Sequence, residues 1–208
     1  MADALTRSWQ RAWRGIGAAG AGLELRAALQ AAYEAPARKY HTLQHLRECL
    51  ALFERHRSLA GHAAEVELAL WFHDAVHEIG HADNEAQSAE WARRALRAAG
   101  VAPEAIERVV ALVLATRHSE APRGADAQLL VDIDLAILGA SPPRFDEYEA
   151  QIRAEYAHVP DAEFRPRRRA LLAAFLARDR LYSTAPLRSE LEASARANLT
   201  RSIEALGS

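Results

Sequence analysis

The segment Leu68-Ala69-Leu70-Trp71-Phe72-His73-Asp74-Ala75-Val76 is apolar on nearly every side once it is wound into a helix. A helix of that kind cannot lie on a surface. It needs neighbours all round, so it belongs at the centre of its domain. The rest of the chain can supply helical neighbours. Alanine, leucine, arginine and glutamate dominate, β-branched residues are few, and glycine and proline are sparse. No stretch alternates apolar and polar residues as a half-buried strand would. The expected fold class is all-α, with roughly eight to ten helices at ordinary lengths.

Turn residues divide the chain into candidate helices. Leu23 to Tyr33 is broken by Ala35-Pro36, because the residue before proline is pushed out of the α region. Thr42 to Arg57 follows, with Leu43, Leu46, Leu50 and Phe53 at helical spacing. Gly61 precedes a helix from about Ala63 to His77. Asp83 or Asn84 can cap a helix that runs to Ala99 and stops at Gly100. Pro103 opens a helix that ends near Arg117. Further helices are expected over Asp126 to Leu138, from Ser141-Pro142-Pro143 to Tyr156, over Ala162 to Leu181 and over Pro186 to Leu206. With 208 residues and neither repeats nor a long linker, one domain over the whole chain is expected.

Composition narrows the function classes. The net charge is −2, which gives no electrostatic footprint for nucleic acid. Cys49 is the only cysteine, which excludes an internal disulfide and a cysteine-based zinc cluster. The first residues, MADALTRSWQRAWRGIG, lack the apolar core of a secretory signal. No uncharged apolar run approaches the roughly 20 residues that cross a bilayer. A cytoplasmic location with no membrane partner is expected, and a homodimer is left open.

Three segments put polar groups where burial is expected. His73 and Asp74 interrupt the central helix, and a buried carboxylate needs a partner or a metal. Asp132 and Asp134 interrupt Leu129 to Leu138; on a helix they point ~200° apart, so only one can face a given site. His41 and His45 are four apart and share a face if both are helical; Cys49 continues that face and reads as a small core residue. Each signal has an ordinary structural explanation when taken alone. Together, imidazoles and carboxylates on separate helices are what a bundle-core metal site requires. Nitrogen and oxygen donors suit manganese, iron, zinc, cobalt or magnesium without choosing among them.

The combination of His45, His73-Asp74 and Asp134 resembles the signature of the HD-domain metal-dependent phosphohydrolases. The similarity is carried by Tyr40-His41-Thr42-Leu43-Gln44-His45, by Trp71 to Val76 and by Asp132 to Gly139. It covers about Arg38 to Leu138 as a metal-site core. Helices from 142 to 206 would pack on that core, reached through Tyr148, Arg153, Glu155 and Tyr156. The cyclic-nucleotide phosphodiesterases are more distantly similar. By that likeness His41 becomes a proton donor, His45 a ligand, and Asp134 is favoured over Asp132. Thr42 stands where those enzymes have asparagine, and their purine-clamping glutamine has no counterpart here.

The resemblance implies an HD/phosphodiesterase-like helical bundle. It also implies a hydrolase acting on a small phosphorylated substrate, a phosphomonoester or nucleotide-like molecule, through one or two divalent ions. His45, His73, Asp74 and Asp134 would hold metal, with Asp132 as the alternate. His41 would donate the proton, Arg38 and His118 would orient phosphate, and Glu85 would hold a water. Glu85 also reads as a first-turn acid, His118 as a favourable helix-end charge, and Arg38 as a surface arginine. Two other functions stay open: a nucleotide- or phosphate-binding regulatory module without turnover, and a di-iron oxygenase that would draw His118 or His77 into a larger ligand set.

Overall fold

The computed structural model describes residues 3–207. Among them are ten α-helices and two 3-10 turns, with no strand. No helix of the described residues is long and apolar enough to cross a membrane. The chain divides into two compact units, one running through Val131 and the other beginning at Asp132.

The first unit holds α1 (Ala4–Gly15), α2 (Leu23–Tyr33), α3 (Leu43–His56), α4 (Ala63–Phe72), α5 (Asn84–Ala98) and α6 (Pro103–Ala115), with most of α7 (Ala125–Asp134). A 3-10 turn, Arg57–Leu59, follows α3. Helix α4 is the centre, and every residue from Glu65 to Phe72 is buried. Helices α1, α3, α5 and α6 pack on it. Leu68, Leu70, Trp71 and Phe72 are fully enclosed. Burying an apolar side chain of this class stabilises the fold by about 1.5–3 kcal/mol.

Two acids at the start of α4 are buried with it. Glu67 receives a two-pronged bond from Arg11 of α1, at 2.9 and 2.5 Å. Glu65 receives one from Arg108 of α6, at 2.7 Å on both oxygens. Losing either arginine would strand a buried charge, which costs more than the pair contributes. On the α1 side, Trp9 meets Trp71 edge-on at 5.2 Å, and Trp71 donates its indole N–H to Ser8 Oγ.

Helix α4 stops at Phe72, short of the His77 end that its apolar pattern suggests. Side chains from elsewhere replace the helical ladder. His73 Nδ1 meets the Leu70 carbonyl at 2.8 Å, Arg38 takes the carbonyls of Asp74 and Ala75, and Ser88 Oγ accepts the Val76 N–H.

The second unit holds a 3-10 turn (Leu135–Gly139), α8 (Pro142–Glu155), α9 (Asp161–Leu176) and α10 (Ala185–Gly207). The turn replaces the last part of the helix expected to reach Leu138. It packs so closely on α10 that a Cβ on Gly139 would stand 2.7 Å from Leu191 Cβ. Asn198 of α10 secures it by donating to the carbonyls of Leu138 and Ala140, both at 2.9 Å. Arg168 of α9 is buried against Tyr148 and paired with Glu149.

Candidate metal centre

The histidine of α3 and the His73-Asp74 pair after α4 converge within the first unit. Thr42 caps α3 by accepting the Gln44 N–H, which starts the helix just before His45. His45 is 3% exposed and His73 is 1% exposed. Their Nε2 atoms stand 3.1 Å apart. Asp74 Oδ2 lies 3.0 Å from His73 Nε2 and 3.4 Å from His45 Nε2.

These three edges fit a shared cation. Donor atoms about 2.1 Å from an ion, at angles of about 90–110°, stand roughly 3.0–3.4 Å apart. The outer nitrogens are also committed. His73 Nδ1 faces the Leu70 carbonyl, which can only accept, so that nitrogen carries a proton and Nε2 is the nitrogen turned toward Asp74. His45 Nδ1 meets the Tyr40 hydroxyl at 3.0 Å. Metal-ligating histidines characteristically have the second nitrogen tied in this way.

Burial pushes the Asp74 carboxyl upward. The charges of His73 and His41, with hydrogen bonds from His45 and His73, outweigh it and hold the group well below the usual carboxylate range. Asp74 is therefore an anion in a nest of imidazoles. Such a donor set attracts a divalent ion, and it leaves the histidines to give up protons when one binds.

Tyr33 and Arg38 support the site from behind. Tyr33, fully buried at the end of α2, donates its hydroxyl to the Trp71 carbonyl and accepts the Asp74 N–H at 3.4 Å. Burial pushes its hydroxyl up to about 12, so it stays a donor. The sequence reads Arg38 as a bidentate phosphate ligand or a surface arginine. Its guanidinium instead lies buried and spends its nitrogens on the carbonyls of His41, Asp74 and Ala75. Tyr33 and Tyr40 are not among the residues that the sequence singles out as supports; their only signal is their position beside the Ala35-Pro36 break and the first histidine.

His41 lies in the turn before Thr42, outside α3, so the helical spacing argument does not place it. It reaches the region by stacking on His77, with ring centroids 3.9 Å apart, and stands 6.2 Å from the His45 ring. Cys49 Sγ is 3.7 Å from both ring nitrogens of His45. The sulfur is buried, and its distance to the His45 and His73 donor atoms is within 4.8 Å, so it stands within reach of the same ion.

The remaining candidates lie on other elements of the chain. Glu85 is half-buried in the first turn of α5. Its neighbour Asn84 does not cap α5 but bonds back to Glu78 and His81, closing the 78–81 turn. His118 follows α6 in a left-handed conformation, φ 54°. Asp132 is fully buried, and its carboxylate accepts the N–H groups of Ser183 and Thr184 and the Thr184 hydroxyl at 2.7–2.8 Å. Asp134 ends α7 in helical conformation, so it points about 200° away from that loop. A cleft of about 600 Å³ between the end of α6 and the start of α7 is lined by His62, Arg117, Arg123 and Asp126, with none of the candidate ligands on its walls. Comparison with protein-family models, curated proteins and solved structures found no significant match.

Proposed function

We propose that this chain is a metal-dependent phosphohydrolase acting on a small phosphate ester. The observation that supports it most is the triangle of His45 Nε2, His73 Nε2 and Asp74 Oδ2, with edges of 3.0–3.4 Å. In this reading His45, His73 and Asp74 would hold a divalent ion. A bound divalent ion would supply Lewis acidity toward water and the phosphoryl group.

The protein's own groups do the rest. Asp74 stays ionised and neutralises the cation, because the surrounding imidazoles hold its proton off. Tyr40 and the Leu70 carbonyl keep the two imidazoles turned with Nε2 inward. His41, half-buried and stacked on His77, donates a proton to the leaving oxygen, a task suited to an imidazole near neutral pH.

The test is elemental mass spectrometry on dialysed protein, followed by a phosphomonoester and nucleotide screen with the metal found. Wild type should retain metal, and Asp74→Ala should lose metal and turnover together. His41→Ala should keep the metal and lose turnover by about 100-fold or more. Wild type that takes up no manganese, iron, zinc, cobalt or magnesium would overturn the proposal. Metal binding without turnover of any ester would leave a regulatory phosphate-binding module.

A further inference from the structure

We propose that Arg38 is a positioning residue that fastens the turn bearing His41 to the turn bearing Asp74; this rests on the reading of the site as a metal centre. The two turns, 34–42 and 73–83, are both irregular and lie far apart in the chain, so no helical ladder fixes one against the other. One guanidinium spans them. Nη1 donates to the His41 carbonyl at 3.2 Å and to the Asp74 carbonyl at 2.5 Å, and Nη2 donates to the Ala75 carbonyl at 2.9 Å.

The guanidinium also has a platform. It lies 5.3 Å over the Tyr33 ring, whose hydroxyl accepts the Asp74 N–H. Residue 74 is thus held on one side through its N–H by Tyr33 and on the other through its carbonyl by Arg38. Only 7% of Arg38 is exposed, and its charge is met by carbonyl dipoles. A planar fork with several fixed donors can serve two backbone segments at once. An ammonium at the same place is a single point and cannot match that geometry. The spacing between the His41 imidazole and the Asp74 carboxylate is therefore set by one side chain that need not touch substrate.

The experiment uses the full chain with Co²⁺ as the probe, titrated by visible absorption. Hydrogen–deuterium exchange is read in parallel over 39–42 and 74–76. The variants are Arg38→Met and Arg38→Lys, with Arg93→Met as a surface control. Both Arg38 variants should keep wild-type helix content and bind Co²⁺ about 10–100-fold more weakly, as expected when a supporting residue is removed. Their Co²⁺ spectrum should change, and both segments should lose protection together. Arg93→Met should match wild type.

Co²⁺ affinity within twofold of wild type, or loss of protection in only one segment, would overturn the proposal. If Arg38→Met does not fold, Tyr33→Phe takes its place, and an unchanged Co²⁺ spectrum and unchanged protection at 74–76 would overturn it. Wild type that binds no Co²⁺ while Arg38→Met loosens both segments would sink the metal reading and leave the fastening intact.

Discussion

Asp74 and Asp132 belong to different units, yet each interrupts an apolar helical run in the same way. Their surroundings have opposite consequences. Asp132 is met by two backbone N–H groups and a hydroxyl, donors that never leave. That carboxylate ties down the loop before α10, with both oxygens engaged. Asp74 is met by imidazoles, which can give up their protons to make room for a cation. Burial raises both carboxyls. It prevails at Asp132 against the bonds from Ser183 and Thr184, and it loses at Asp74 to the histidines. The chemistry of the partners, more than burial itself, separates a structural carboxylate from one suited to hold a metal.

The largest effects should come from removing each carboxylate. Asp74→Ala should weaken metal binding by more than the roughly 10–100-fold that a supporting residue costs, with helix content retained. Asp132→Ala should leave metal affinity near wild type. It should also destabilise the fold by about 1–3 kcal/mol for each buried donor left without an acceptor. Calorimetric titration with zinc and urea unfolding on both variants check this. The contrast breaks if Asp132→Ala loses metal while Asp74→Ala only loses stability.

Acid titration separates the pair more gently. Asp74 has a folded-state pKa below its ordinary value, so its stabilisation is present above that value and is lost as pH falls through the folded one. Asp132 has a raised pKa, so its contribution is present below the ordinary value and is lost as pH rises through the folded one. The stability differences between wild type and Asp74→Asn, and between wild type and Asp132→Asn, should therefore slope oppositely with pH in the acid range. Neither slope can exceed about 1.4 kcal/mol per pH unit. Urea unfolding in metal-free buffer between about pH 3 and 6 reads both slopes, and equal signs would remove the distinction.

The helices are legible in the sequence because their signals are local. Leu23–Tyr33 has the expected ends, and the burial of Glu65 to Phe72 follows from the all-round apolar pattern. Helix α1 lies outside the expected set because the opening residues carry meaning there only as a targeting signal, although Trp9 and Trp13 fall at helical spacing. The end of α4 departs from expectation because periodicity cannot register that Arg38 and Ser88 replace its backbone bonds. The convergence of His45, His73 and Asp74 is legible as residue types that demand partners. The supports are not, since Tyr33, Arg38 and Tyr40 act through contacts that depend on how two irregular turns fold.

The smallest effects concern the flanks of His45, and they test how far the ligand-like character extends from Asp74. Tyr40 holds Nδ1 at 3.0 Å and so sets which nitrogen would face a bound cation. Tyr40→Phe frees the imidazole to change tautomer and should weaken zinc about tenfold, the low end for a supporting bond. Cys49 is just as close to the histidine in sequence but touches both ring nitrogens at 3.7 Å, a longer and weaker contact than the Tyr40 hydroxyl makes with Nδ1. Cys49→Ser should therefore shift zinc affinity by less than Tyr40→Phe does. Co²⁺ bound to the wild type should show no thiolate-to-metal absorption in the near ultraviolet. A strong band of that kind, lost in Cys49→Ser, would make the sulfur a ligand and extend the donor set that distinguishes Asp74 from Asp132 to a soft atom.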